Sequence, residues 1–135
     1  MSHSYLLDTN IIAALAKDPG GPVNRKISEA GQDAICTSII VACEIHYGLL
    51  KKDSQRLTAQ MNAIMNAIDV VNLPKEIDSE YGEIRLHLER KGQAIGPNDL
   101  LIAAHARAAG LAIVTGNNRE FERVPDLKVE NWLID

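Results

Sequence analysis

The sequence predicts an α/β fold: a three-layer sandwich in which a mostly parallel sheet of four to five strands is flanked by helices on both faces. Two observations predict it. Short apolar runs of strand length alternate with longer segments of helical spacing along the whole chain. The junctions carry the stop and start residues that such alternation needs, with Pro opening and Gly closing helices. With 135 residues and 46% hydrophobic content, the expectation is one domain spanning 1–135 with ample material for a core.

Tyr5, Leu6 and Leu7 form the first strand, which stops at Asp8-Thr9-Asn10 and feeds a helix carrying Ile11, Ile12, Ala14 and Leu15. The turn formers Asp18-Pro19-Gly20-Gly21-Pro22 follow, then a short helix from about Val23 to Ala30. Ala34-Ile35-Cys36 is a second strand, and Thr37 or Ser38 can cap a helix from Ile39 through Lys52. Because that helix is apolar on nearly every side, it is expected to lie deep in the fold. Leu57, Met61, Ile64, Met65 and Ile68 mark one face of a helix folding back across Asp53-Ser54. Val70-Val71-Asn72-Leu73 is a third strand, ended by Pro74. Lys75 to Lys91 makes a long helix with Ile77, Tyr81, Ile84 and Leu88 on one face, acids early and bases late as the helix dipole favours. Pro97 opens a further helix that runs through Ala109 and closes at Gly110. Leu111 to Val114 is a fourth strand, and Leu127-Lys128-Val129 a candidate fifth.

Fourteen Lys and Arg against 18 Asp and Glu give a formal net charge of −4. That balance disfavours nucleic-acid binding by bulk attraction, so an RNA-handling role requires a local basic rim or a bound metal. Cys36 and Cys43 both stand in apolar runs without CxxC spacing and are expected to be buried thiols of a reducing compartment. The first apolar stretch lacks a preceding basic region and is cut by Asp8 and Asn10, unlike a signal peptide. No run approaches the roughly 20 apolar residues that span a bilayer. The expectation is a cytoplasmic protein with no membrane partner.

Asp8 in LLDTN, Glu44 in ACEIHYG and Asp99 in GPNDLLIAA are far apart in the chain, yet the predicted fold brings them to one edge of the sheet. Asn117, in IVTGNNREF, follows the fourth strand in the same manner. Three carboxylates in a poorly hydrated cleft, with no interleaved Lys or Arg, repel one another and disfavour folding unless a cation joins them. The pattern points to a divalent metal site. Each acid also has a plain structural reading. Asp8 can be the N-cap of the helix after it, and capping and ligation can share one residue. Asp99 in a first helical turn is stabilised by the dipole. Glu44 has Ile40, Val41, Tyr47 and Gly48 as helical neighbours, so its charge requires a cation, a basic partner, a raised pKa or exposure to solvent.

The remaining chemistry-bearing residues favour simpler readings. His3, His46, His87 and His105 lack metal-ligand spacing and read as solvated or singly bonded. No Gly-rich phosphate loop occurs, and Ser4, Ser28 and Ser38 are in no nucleophile-elbow context. Met61 and Met65 read as helix packing, and Glu76, Asp78, Glu80 and Glu83 as a solvated face.

LLDTN, the mid-chain Glu44, GPNDLLIAAHARAAGLAIVTGNNREFERV and the closing NW together resemble the PIN-domain ribonucleases, specifically the VapC-type toxins of type II toxin–antitoxin pairs. The resemblance covers essentially the whole chain. It implies a PIN-like fold and an endoribonuclease that uses Mg²⁺ or Mn²⁺ held by Asp8, Glu44 and Asp99, cutting single-stranded or loop RNA to leave 5′-phosphate and 3′-hydroxyl ends. Many members carry an Asp where this chain has Asn117, which bears on whether a second metal binds. The resemblance further implies a homodimer silenced by a cognate antitoxin, and some similar toxins act on initiator tRNA at its anticodon loop.

On that basis Asp8, Glu44, Asp99 and Asn117 are the candidate catalytic residues, with Asn10 and Thr115 orienting carboxylates and waters. Arg85, Arg107, Arg119 and Arg123 are candidates for steering RNA. Three rivals stand beside this reading. The first is a phosphatase or receiver-like domain with an aspartyl nucleophile, which would want a second acid and a Lys where Thr9-Asn10 and Gly116-Asn117 stand. The second is a catalytically silent interaction domain, and the third a PIN nuclease of RNA processing outside a toxin–antitoxin pair.

Overall fold

The element order is β1 (Tyr5–Leu7), α1 (Thr9–Lys17), α2 (Pro22–Ala30), a 3-10 turn (Gln32–Ala34), β2 (Ile35–Ser38), α3 (Ile39–Lys52), α4 (Gln55–Asn66), β3 (Asp69–Val71), α5 (Ile77–Arg90), α6 (Pro97–Ala109), β4 (Ala112–Val114), α7 (Asn118–Phe121) and β5 (Val129–Glu130). These come from a computed structural model that describes residues 2–134; Met1 and Asp135, the end points of the expected domain, lie outside the described residues. The sheet is five-stranded with order β3-β2-β1-β4-β5, and every pairing is parallel. The expected α/β sandwich is therefore present, and the candidate fifth strand exists as a two-residue edge strand at Val129–Glu130.

The chain builds outward from β1 to β2 and β3 on one side, then returns to add β4 and β5 on the other. That reversal leaves a switch point beside β1, the place where open parallel sheets bind ligands beyond their strand ends. The central strands are apolar because both faces are covered: Leu6, Leu7, Ile35, Cys36, Ile113 and Val114 are buried, and Ile11, Ile12, Val41, Ile84, Leu88, Ile102 and Phe121 pack onto them. Each such side chain contributes about 1.5–3 kcal/mol on burial. Tyr5 meets Trp132 with ring centroids 4.9 Å apart, which fastens the end of the chain against β1. Gly110, at φ 70°, closes α6, and the Leu111 amide reaches back to the Ala106 carbonyl at 2.8 Å.

Several expectations need correction. α3 does not lie deep on all sides: only its Val41, Ile45 and Leu49 stripe is buried, while Tyr47 is 64% and Leu50 67% exposed. One i, i+4, i+8 stripe suffices to seat a helix on a sheet, and among the described residues no element covers Tyr47 and Leu50. Cys43 is for the same reason exposed, whereas Cys36 in β2 is buried, with burial and then the charge of Asp69 pushing its thiol up to about 11. Glu80 leaves the solvated acidic face of α5, pairing with the mostly buried guanidinium of Arg107 on α6. β3 ends at Val71 rather than Leu73, and α7 was not anticipated. Met61 is buried and Met65 partly buried against the core, as packing residues. No helix among the described residues is long and apolar enough to cross a membrane.

Candidate active site at the strand ends

Asp8 leaves the end of β1 at the switch point and is 3% exposed. Its Oδ1 accepts the Thr9 amide at 2.8 Å, capping α1, and its Oδ2 accepts the Thr115 hydroxyl at 2.8 Å and the Asn10 amide at 3.4 Å. The cap reading is thus correct and leaves Asp8 at the strand-end edge. Burial pushes its carboxyl above the ordinary range, with Glu44 and Glu120 adding to the rise, while the bonds from Thr115 and Thr9 oppose it.

Glu44 projects from α3, half-buried. Its Oε1 accepts the Thr9 hydroxyl at 2.6 Å and its Oε2 the Asn98 amide at 3.4 Å. Neutral donors from two other elements, α1 and α6, meet its charge. Thr9 therefore ties Asp8 and Glu44 together, through its amide and its hydroxyl.

Asp99 occupies the first turn of α6 and is half-buried. Burial, followed by the charges of Glu120, Asp8 and Glu44, pushes its carboxyl up to about 7. Asp99 thus feels every other acid of the group. Gly96 shows how closely they crowd: a Cβ built there would be 3.7 Å from Asp99 Oδ2 and 3.8 Å from Glu120 Oε1.

Asn117, a candidate catalytic residue from its place after the fourth strand, stands at the start of α7 beside the acids. Its side-chain amide donates to Glu120 Oε2, and its backbone N–H donates to Thr115 Oγ1 at 2.9 Å. Sequence reasoning missed Glu120, which α7 carries back toward Gly96, whose N–H it accepts at 2.8 Å. Burial acts to raise the Glu120 carboxyl, but bonds from Gly96, Asn117 and Asp99 and the charge of Arg123 outweigh it and hold the group below its usual range. The available signal was the Asn117-x-x-Glu120 spacing, which is that of a capping box opening a helix. Asn10 completes the cluster: its Oδ1 accepts the Gly116 amide at 2.7 Å, pinning the loop after β4 to the start of α1.

The candidate arginines divide. Arg107 is turned away, bonded to Glu80 and to the Pro125 carbonyl, with Glu83 also in reach. Arg85 pairs with Glu89 and Tyr81 on α5. Arg123 lies near the acids, bonded to the Ala94 carbonyl, and Arg119 is exposed on α7. His105 is buried with Nδ1 on Ser38 Oγ at 2.9 Å, a singly bonded histidine as expected.

Carboxylate oxygens are the donors that Mg²⁺ and Mn²⁺ prefer, and the four carboxyl groups of Asp8, Glu44, Asp99 and Glu120 suit such an ion. Among the described residues, however, no three His, Cys, Asp or Glu side chains already stand converged on one ion position. Asp8 and Glu44 each accept hydroxyl and amide donors, and a carboxylate oxygen that accepts one such bond retains a lone pair for an ion. The donor set fits the metal chemistry: Thr9 bridges Asp8 and Glu44, and Asp99 bonds directly to Glu120.

A family model described as PIN domain matches residues 5–127. This chain belongs to the PIN-domain family. Its relatives include "Ribonuclease VapC2" of Rickettsia felis, 38% identical over 130 residues that cover 95% of this chain and 97% of the relative. It is also 37% identical over 129 residues to "tRNA(fMet)-specific endonuclease VapC" of Shigella flexneri, covering 95% and 97%. Among solved structures, VapBC2 from Rickettsia felis bound to a promoter DNA fragment superimposes with TM-score 0.87 at 32% identity, covering 98% of this chain and 99% of that one. DNA-bound VapBC from Salmonella typhimurium gives 0.86 at 32% identity over 96% and 98%. The family resemblance carried by LLDTN and by the Gly96–Trp132 segment is therefore correct, and the PIN fold is the one described above.

Proposed function

We propose that this PIN-domain protein is an endoribonuclease toxin that hydrolyses RNA phosphodiester bonds with Mg²⁺ or Mn²⁺ and is neutralised by a cognate antitoxin. The observation that carries this reading is the gathering of Asp8, Glu44, Asp99 and Glu120 at the sheet's switch point, with Thr9 bridging the first two. The ribonuclease names of relatives sharing nearly the full length, and their solved complexes, support the RNA substrate and the antitoxin partner. A tRNA anticodon loop as target rests on the name of the Shigella relative. The whole chain, 1–135, is taken to act as one domain, as a homodimer in the cytoplasm.

Asp8, Glu44 and Asp99 would hold the ion, with Glu120 beside them. When bound, a divalent cation supplies Lewis-acid stabilisation of the phosphate and a water of lowered pKa. The chain's own work is orientation. Thr115 and Thr9 fix the two oxygens of Asp8, Asn98 and Thr9 hold Glu44, and Asn117 with the Gly96 amide keeps Glu120 charged. Asn10 braces the β4 loop that carries Thr115 and Asn117. Glu120, as a fourth carboxylate beside Asp99, supports this reading over a catalytically silent interaction domain.

The test is to incubate the pure protein with total RNA, with and without EDTA, and to map the ends. The expected result is discrete cuts bearing 5′-phosphate, abolished by EDTA and restored by excess Mg²⁺ or Mn²⁺. Cleavage that persists unchanged in EDTA, or no cleavage with either metal, defeats the proposal.

A further inference from the structure

We propose that single-stranded RNA entering or leaving the candidate active site runs along α3, with one base stacked on Tyr47 and a phosphate held by Lys51. The inference rests on the ribonuclease reading above. Glu44, Tyr47, Gly48 and Lys51 stand at i, i+3, i+4 and i+7 and so share one face of α3. That face flanks the buried Val41, Ile45 and Leu49 stripe and carries the exposed Tyr47 and Lys51. At its upstream end Glu44 reaches Thr9 and Asn98 within the acidic cluster. One turn on, the Tyr47 ring is 64% exposed, and Lys51 Nζ lies 5.7 Å from its centroid. Gly48 lies between them with no side chain, and a Cβ built there would meet nothing within 4 Å, so a flat group has room beside the ring.

Distances and charge agree with an RNA occupant. At about 1.5 Å of rise per residue, Tyr47 and Lys51 lie about 4.5 and 10.5 Å along the axis from Glu44. At roughly 3.4 Å per stacked nucleotide, that is within about one to three nucleotides of the cut. A chain of net charge −4 with four acids at its centre repels a polyanion, so a local cation and a stacking surface are what such a site requires. The last turn of α3 supplies two exposed cations, Lys51 and Lys52. An aromatic face with a cation beside it is the combination that binds single strands irrespective of base.

The test is anisotropy of a labelled single-stranded RNA oligonucleotide with antitoxin-free protein carrying Asp8→Asn, so that nothing is cut, alone and combined with Tyr47→Ala, Tyr47→Trp, Lys51→Ala or Leu50→Ala. Sedimentation of each variant runs alongside. The expected result is a loss of about 5- to 100-fold in affinity for Tyr47→Ala, with Tyr47→Trp within about twofold. Lys51→Ala should reduce the salt dependence by about 0.7 in slope. Leu50→Ala, off this face, should bind like the parent. Affinity within about twofold of the parent for Tyr47→Ala overturns the proposal. So does weaker binding accompanied by loss of a dimer, which assigns Tyr47 to a contact between copies. If the parent binds no RNA and the unmodified protein cuts none, the ribonuclease reading has failed and this inference with it.

Discussion

Thr115 donates its hydroxyl to Asp8 Oδ2 at 2.8 Å, joining two buried residues 107 positions apart and fastening the end of β4 to the end of β1. The same oxygen of Thr115 accepts the Asn117 amide, so one side chain sets both the acid and the loop beyond it. Removing it should act on catalysis more than on folding. Thr115→Val, which keeps the shape, is expected to lower kcat for RNA cleavage by about 10- to 100-fold, and Thr115→Ser to retain most activity. Steady-state kinetics on a defined RNA checks this; equal loss in both variants would show that shape, not the hydroxyl, matters.

Glu120 and Asn117 should separate in the same assay. Glu120→Gln removes a charge beside Asp99 and is expected to cost at least about 100-fold in kcat. Asn117→Ala removes only the amide that steadies Glu120, and about 10-fold is expected. An Asn117→Ala effect exceeding that of Glu120→Gln would restore Asn117 as the residue that meets the metal.

Asp99 offers a stability readout independent of RNA. Its folded carboxyl is raised from 3.8 to about 7, chiefly by burial, so the native state resists losing that proton. Folding stability is fully kept below pH 3.8 as far as this group is concerned, and falls as pH rises from there to about 7. Asp99→Asn should therefore stabilise the metal-free protein at pH 8, by about 1 kcal/mol after allowing for solvent screening. Urea titration at pH 8 measures it; a destabilised variant would contradict the crowding of the acids.

His105 carries the opposite sign. Burial lowers its pKa below 6.5, so the unfolded chain binds the proton more readily than the folded one. Its contribution is intact above about pH 6.5 and is lost as the pH falls through the lower folded value. Thermal melts between pH 7 and 5 should show a fall in Tm that His105→Gln reduces. An unchanged slope in that variant would assign the acid sensitivity elsewhere.

The sequence by itself determined the alternation of strands and helices, because strand-length apolar runs and caps such as Ser38, Pro97 and Gly110 act through local geometry that neighbours in the chain specify. It also marked Asp8, Glu44 and Asp99, since an acid at the end of an apolar run or on an apolar helix is conspicuous without any knowledge of its surroundings. Glu120 was missed: its spacing from Asn117 marks a helix start, but only packing of α7 against the Gly96 turn brings it to the other acids. The pairing of Asn117 with Glu120, the turning of Arg107 to Glu80, and the exposure of Cys43, Tyr47 and Leu50 were likewise decided by tertiary structure alone. Periodicity says which residues share a face, whereas which face is covered depends on elements tens of residues away.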